Sequence, residues 1–86
     1  MPKLKADKME MRRREVRAIV LAGQARENIS DEQLALKMHR VKRTVQNRRR
    51  EPELFTLEEL WCLCDVLNLS YDDRATILGG KRDAAT

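Results

Sequence analysis

A helix-start signature occurs twice in this chain, and it limits the folds that the sequence can adopt. Ser30 is followed three residues later by Gln33, and Thr56 is followed three residues later by Glu59. Each pair predicts a capping box, in which the two side chains satisfy backbone N–H groups at the start of a helix. Both pairs are flanked by apolar residues at the hydrophobic-staple positions, namely Ile29 with Leu34 and Phe55 with Leu60. Two helices are therefore predicted to begin at Ser30 and Thr56.

Apolar residues at helical spacing, together with stop signals, predict three further helices. Glu51-Pro52 ends one helix, because the residue before a proline disfavours the α conformation. Gly79-Gly80 ends another. The chain has only three Gly, two Pro and three aromatic residues, a composition that argues against an all-β fold. Counting the caps, the predicted helices cover about residues 8–26, 30–38, 42–50, 56–67 and 70–79.

A chain of 86 residues is long enough for one small domain. We predict an all-α fold, a compact five-helix bundle over residues 8–80, with residues 1–7 as a flexible basic arm and residues 81–86 as a disordered tail. Arg14, Arg17 and Leu21 are expected opposite the core face of the first helix. The predicted core residues are Met9, Val16, Ile19, Val20, Gly23, Leu34, Ala35, Met38, Val45, Leu57, Leu60, Leu63, Cys64 and Leu67.

The residue types argue against an enzyme, a metal site and a membrane protein. The chain has one His and no Ser/His/Asp set, paired-carboxylate site or Gly-rich phosphate loop. Cys62 and Cys64 are too close in sequence for an ordinary disulfide, and one His cannot complete a zinc set with them. No apolar run approaches the ~18 residues that span a bilayer. We expect a cytoplasmic protein without a metal, a cofactor or a small-molecule site.

Positive charge is concentrated in the first part of the chain. Residues 1–50 contain fifteen Lys/Arg and six Asp/Glu, a net charge of +9, whereas residues 51–86 have a net charge of −5. Residues 37–50 contain seven Lys/Arg and no acid. Solvated faces usually mix both signs, so this block favours a surface that binds a polyanion by concentrating positive potential and releasing counterions.

The second and third predicted helices fall within this basic block or directly before it. Two short helices joined by about four residues are typical of a helix-turn-helix. That arrangement needs a small residue where the helices cross and apolar residues further on. Ala35, Met38 and Val45 meet these requirements. We therefore predict a helix-turn-helix formed by helices 2 and 3.

Three segments of the chain resemble the lambda-repressor/Cro-like helix-turn-helix family, and most closely its small phage-type regulators. They are Ile29–Met38, Arg43–Arg48 and Phe55–Leu60. The resemblance covers about residues 10–80. It implies a five-helix bundle that places helix 3 in the major groove of double-stranded DNA, commonly as a dimer on a two-fold-symmetric site.

The turn departs from the family pattern at three positions. His39 stands where the family usually has Gly, and we expect it to adopt the left-handed conformation that Gly permits. Arg40 replaces an apolar residue, and Val41 replaces a Ser or Thr cap. Helix 3 begins at Lys42, or one residue away if Val41 moves into the apolar slot. Asp31 also stands where relatives contact a phosphate, so that contact is expected to be weaker here.

The residues of helix 3 divide by role. Arg and Lys pair with guanine and Gln and Asn with adenine, so an outward face that mixes them is equipped to read sequence. The predicted base-reading residues are Lys42, Arg43, Gln46 and Asn47. The predicted phosphate contacts are Arg40, Thr44, Arg48, Arg49 and Arg50.

Helix 4 is apolar on nearly all sides, which indicates that it is covered on two sides. Either helix 5 or a second subunit covers the second surface, and we predict a homodimer through helices 4 and 5. The predicted interface residues are Trp61, Cys62, Val66 and Tyr71.

These features favour sequence-specific binding of double-stranded DNA by a phage- or prophage-type transcriptional regulator. Two alternatives remain open from the residues alone. The first is a DNA-recognition module in a phage packaging or replication machine, which would use the same helix 3. The second is a helical protein-interaction adaptor whose basic face binds an acidic protein.

Overall fold

Helices form most of the part of the chain that the computed structural model describes, which is the backbone of residues 2–79 and the side chains of residues 8–79. The predicted tail, residues 81–86, lies outside it. Within residues 2–79 there are five α-helices, one 3-10 turn and no strand. They are α1 (Pro2–Glu27), α2 (Asp31–Lys37), α3 (Lys42–Arg50), the 3-10 turn (Pro52–Leu54), α4 (Leu57–Val66) and α5 (Tyr71–Gly79). The predicted all-α fold with five helices is confirmed.

Side-chain caps start α2 and α4 as the sequence predicts, and a third side-chain cap starts α5. Ser30 Oγ accepts from the Gln33 N–H at 3.2 Å, and Gln33 Oε1 accepts from the Ser30 N–H at 2.9 Å. The capping box of Thr56 and Glu59 has the same two bonds. At α5, the Asp73 N–H donates to Ser70 Oγ at 3.1 Å. Because these bonds join residues three apart, they are specified locally.

The first helix is longer than its predicted length. α1 begins at Pro2, six residues before the predicted start at Lys8, so the backbone of residues 2–7 is helical instead of forming an arm. Proline is favourable at the first helical position. The residues between Pro2 and Lys8 include Lys, Leu and Ala, which are strong helix formers. No residue there stops a helix.

Three helices end with a residue in the left-handed conformation. Asn28, His39 and Asn68 have φ values of 56°, 59° and 53° and follow α1, α2 and α4. After each, the next N–H donates back across the last turn; the Arg40 N–H, for example, donates to the Ala35 carbonyl at 2.9 Å. Asn and His tolerate this conformation at modest cost, so the prediction for His39 is confirmed.

The core is formed by α1 to α4 and their connections. Its largest fully buried side chains are Leu34, Leu63, Leu67, Val20 and Val45. Ala35, Met38 and Cys64 are also buried, as predicted. Met9 and Leu57 are not buried, since 42% and 52% of their surface is exposed. α5 packs against α1 and contributes no buried residue.

Candidate nucleic-acid interface

α3 lies against α2, and the side chains that join them are those expected from the sequence. Ala35, Met38 and Val45 are 3%, 5% and 2% exposed. Residues 38–41 connect the two helices, and α3 begins at Lys42. Val41 is the N-cap residue and is exposed, so it does not enter the apolar slot. Arg40 stands at the position where the family has an apolar residue, and a salt bridge with Glu59 of α4 holds its side chain there.

A buried carboxylate of α4 holds the turn and the far end of α3. Glu59 is 3% exposed, although the sequence analysis identifies it only as a capping residue at the start of its helix. Arg40 Nε donates to Glu59 Oε2 at 2.8 Å, and Arg48 Nε donates to Glu59 Oε1 at 3.1 Å. Burial raises the pKa of Glu59, but the Thr56 N–H and the two guanidinium groups outweigh burial and lower that pKa to about 2. Glu59 is therefore ionised, and it joins three elements.

A second carboxylate, on α2, also holds the second half of α3. Arg49 forms two bonds with Asp31, Nη1 to Oδ1 at 2.6 Å and Nη2 to Oδ2 at 3.1 Å. Gln24 of α1 donates from Nε2 to Asp31 Oδ1 at 2.9 Å and accepts from Arg49 Nη1 at 2.6 Å. Gln46 Nε2 donates to Asp31 Oδ2 at 3.1 Å. The bonds from Arg49 and Gln24 hold the pKa of Asp31 well below its usual range.

These contacts separate the predicted site residues into two groups. Three of the predicted phosphate contacts, Arg40, Arg48 and Arg49, form internal ion pairs, and Arg49 is only 17% exposed. The remaining residues lie on the outer side of α3 or at its end. Lys42, Arg43, Gln46 and Arg50 are exposed, and Thr44 and Asn47 are half-buried.

No described carboxylate neutralises the exposed cations of α3. Among the side chains of residues 8–79, no carboxylate forms a salt bridge with Lys42, Arg43 or Arg50. Arg50 Nη2 donates to Asn47 Oδ1 at 2.6 Å, which holds both side chains near the end of the helix. We define the outer α3 face as Lys42, Arg43, Gln46, Asn47 and Arg50.

Two residues of α1 that the sequence analysis does not assign to the site support this face. Arg17 was expected opposite the core, but it is half-buried and its Nη2 donates to the Arg50 carbonyl at 3.0 Å. Gln24 is 7% exposed and joins Asp31 to Arg49. A buried glutamine on an otherwise amphipathic helix is a signal for such a network, but its partners are 7 and 25 residues away.

The predicted dimer residues have two different surroundings. Trp61 is 60% exposed and Tyr71 is 88% exposed. Cys62 and Val66 are half-buried and pack against the core, and Cys62 Sγ donates to the Lys37 carbonyl at 3.7 Å. Only Trp61 and Tyr71 therefore present most of their surface to solvent.

An open depression of about 650 Å³ lies between α1 and the end of α3, and its lining includes Arg17, Arg48 and Arg50. A cavity of about 150 Å³ lies between α1, the 3-10 turn, α4 and α5. It is smaller than the ~300–1,000 Å³ of usual ligand pockets. Within residues 8–79, no group of three His, Cys, Asp or Glu is placed to hold a metal ion. No described helix combines the length and apolarity needed to cross a membrane.

Comparison of the chain with protein-family models, with curated proteins and with solved structures finds no match. The fold and the geometry of the outer α3 face are therefore the basis for inferring a function.

Proposed function

We propose that this protein binds double-stranded DNA sequence-specifically, with α2 and α3 acting as a helix-turn-helix and the outer α3 face entering the major groove. The observation that carries the proposal is the separation of charge on α3. Its inward arginines neutralise Glu59 and Asp31, whereas Lys42 and Arg43 remain exposed and unpaired within residues 8–79. A helix anchored in this way presents a fixed cationic face to a polyanion.

The chemistry of the face favours base reading over charge binding alone. Lys42 and Arg43 lie in the first turn of α3, the part of a recognition helix that contacts base edges. An Arg or Lys donates to the O6 and N7 of guanine, and a Gln amide matches the N6–H and N7 of adenine. A surface for phosphates alone needs no amides. We assign Lys42, Arg43, Gln46 and Asn47 to the bases.

We assign fewer residues to phosphate contacts than the sequence predicts. Arg50 is exposed at the end of α3, and Thr44, in the first turn of the same helix, is half-buried. Arg40 and Arg48 are 35% and 29% exposed, so part of each guanidinium remains accessible while Nε bonds Glu59. Arg49 is assigned to positioning, because both of its terminal nitrogens bond Asp31.

We also propose that the protein acts as a homodimer, as a regulator on a two-fold-symmetric site does. The surface is centred on Trp61 of α4 and Tyr71 of α5. Large aromatic side chains are the usual anchors of interfaces, and these two are 60% and 88% exposed. A transcriptional regulator of phage or prophage type accounts for both surfaces.

Selection from a random pool of DNA duplexes tests the DNA-binding proposal. We expect enrichment of a short inverted repeat. We also expect Lys42→Ala to weaken binding to it by about tenfold or more. The matched control is Lys8→Ala, which removes the same charge from an exposed position of α1. Lys8 lies nine residues, or about 13 Å along the helix, from Arg17, the α1 residue that contacts Arg50. Equal effects of the two variants, or no enriched sequence, would refute specific reading by α3.

Sedimentation of Trp61→Glu tests the dimer. We expect the wild-type protein to be dimeric at tens of micromolar and the variant to be monomeric with unchanged helical circular dichroism. Val66→Glu is not an equivalent test, because Val66 packs against the core and its replacement destabilises the monomer. A monomeric wild-type protein refutes the dimer, and a ring-sized assembly favours a packaging or replication module.

A further inference from the structure

The amide of Gln46 is held by a carboxylate from another helix. Asp31, the first residue of α2, accepts from Gln46 Nε2 through Oδ2 at 3.1 Å, while its two oxygens also bond Arg49 and Gln24. These additional bonds fix the carboxylate in place. An exposed glutamine ordinarily samples many rotamers, so a fixed acceptor at this distance limits the directions in which the amide can point.

The identity of the acceptor determines the orientation of the amide. An ionised carboxylate offers only acceptors, and the Arg49 guanidinium keeps Asp31 ionised. Nε2 of Gln46 must therefore face Asp31, since the flipped amide would place Oε1 against a carboxylate oxygen. One Nε2 hydrogen is used in this contact. The other hydrogen and Oε1 have no partner among the described residues.

The unused edge matches one base. An adenine presents the N6–H donor and the N7 acceptor in the major groove, which pair with an amide Oε1 and an amide N–H. Guanine presents two acceptors, O6 and N7. Pairing with O6 would require the amide to turn Oε1 away from the base, and Asp31 disfavours that turn.

We propose that Asp31 is a specificity-determining positioning residue, which orients the Gln46 amide so that this position of the outer α3 face reads adenine. The inference rests on the proposed function and deepens it. Asp31 itself touches no base in this arrangement. Its charge, which would repel a phosphate, is offset by Arg49.

The test is a double-mutant cycle on the duplex that the wild-type protein selects. The position read by Gln46 is the one at which Gln46→Ala abolishes discrimination, and duplexes with each of the four base pairs there are the probes. Asp31→Asn keeps the shape of the side chain, but its amide can also donate to Oε1 of Gln46. We expect the preference for adenine to fall about fivefold, while affinity for unrelated DNA rises because a negative charge is lost.

Opposite changes in preference and in overall affinity distinguish positioning from damage to the fold, which lowers both. In the Gln46→Ala background, Asp31→Asn should leave base preference unchanged. An unchanged preference for adenine in the Asp31→Asn single variant overturns the inference, as does the same change in both backgrounds. A position where Gln46 discriminates for a base other than adenine also overturns it. If the wild-type protein selects no sequence, the proposed function fails, and the inference fails with it.

A measurement on the free wild-type protein does not depend on the folding of a variant. The side-chain amide of Gln46, identified by its loss in Gln46→Ala, should show a nuclear magnetic resonance order parameter near that of rigid groups. A value below about 0.6, typical of flexible groups, would show that Asp31 does not hold the amide.

Discussion

Replacing Glu59 by Gln tests the anchor that joins α4 to the turn and α3. Gln fits the capping box, because its Oε1 can accept from the Thr56 N–H as Glu does. The amide Nε2, however, then takes the place of Oε2 and turns a donor toward Arg40, from which the carboxylate accepts at 2.8 Å. Oε1 still faces Arg48 at 3.1 Å, but it no longer belongs to a charged group. The variant therefore removes the two ion pairs while it retains the shape and the cap.

The size of the effect follows from the pKa of Glu59. That pKa is lowered from 4.5 to about 2 in the folded protein, and each unit corresponds to ~1.4 kcal/mol. The ionised carboxylate thus stabilises the fold by about 3 kcal/mol at about pH 7. Because the folded pKa is the lower one, this contribution is present above pH 4.5 and is lost as the pH falls toward 2. About half of it remains at about pH 3.

Urea denaturation followed by circular dichroism measures both quantities. We expect Glu59→Gln to lower the free energy of unfolding by about 3 kcal/mol at about pH 7 and by about half of that at about pH 3. Glu58→Gln is the control, since Glu58 is an exposed first-turn residue of the same helix without a salt bridge among the described residues. It should lose less than about 1 kcal/mol. A loss from Glu59→Gln that is equally small, or that does not shrink with pH, would refute this role.

Two further substitutions test packing around α3 and α1. Arg49→Ala should lower the free energy of unfolding by about 1–3 kcal/mol, because Asp31 loses its guanidinium partner. The control Arg43→Ala, at an exposed position, should change this free energy by less than about 0.5 kcal/mol. Equal losses in urea denaturation would contradict the assignment of Arg49 to positioning. Gly23→Ala should lower the free energy of unfolding by about 1 kcal/mol although Ala favours helices, because the new Cβ would lie 3.2 Å from two carbons of Leu67. A higher melting temperature of this variant would show that Leu67 moves away freely.

Local signals in the sequence were sufficient for most helix boundaries. The caps at Ser30 and Thr56 and the stop before Pro52 act over three residues or fewer, and the structure has each of them. Periodicity also identified Ala35 and Val45 as buried residues. Periodicity defines a face, but it does not define how far a neighbouring helix covers that face. Solvent therefore reaches Met9 and Leu57, although both share the spacing of the core.

The ion pairs that position α3 could not be predicted from local signals or from periodicity in the sequence. Glu59 was identified as a capping residue, but its carboxylate also binds Arg40 and Arg48, which are 19 and 11 residues away. The sequence predicts only that Asp31 weakens a phosphate contact, because nothing in the sequence pairs Asp31 with Arg49. Such pairs depend on how α2, α3 and α4 are packed, and that packing is a tertiary property.

This packing changes how the basic block should be interpreted. Residues 37–50 contain seven Lys/Arg, and three of them neutralise carboxylates within the protein. A run of one sign therefore divides in two, since the inward arginines bond Glu59 and Asp31, whereas the outward cations are the ones that the proposed function assigns to DNA. The absence of acids from α3 suits both parts, because an acid on either side would compete with Glu59 and Asp31 or weaken the outer face. A one-signed helix beside acidic neighbours in the fold is thus weaker evidence for the strength of DNA binding than its charge implies, and stronger evidence for a fixed orientation of the face.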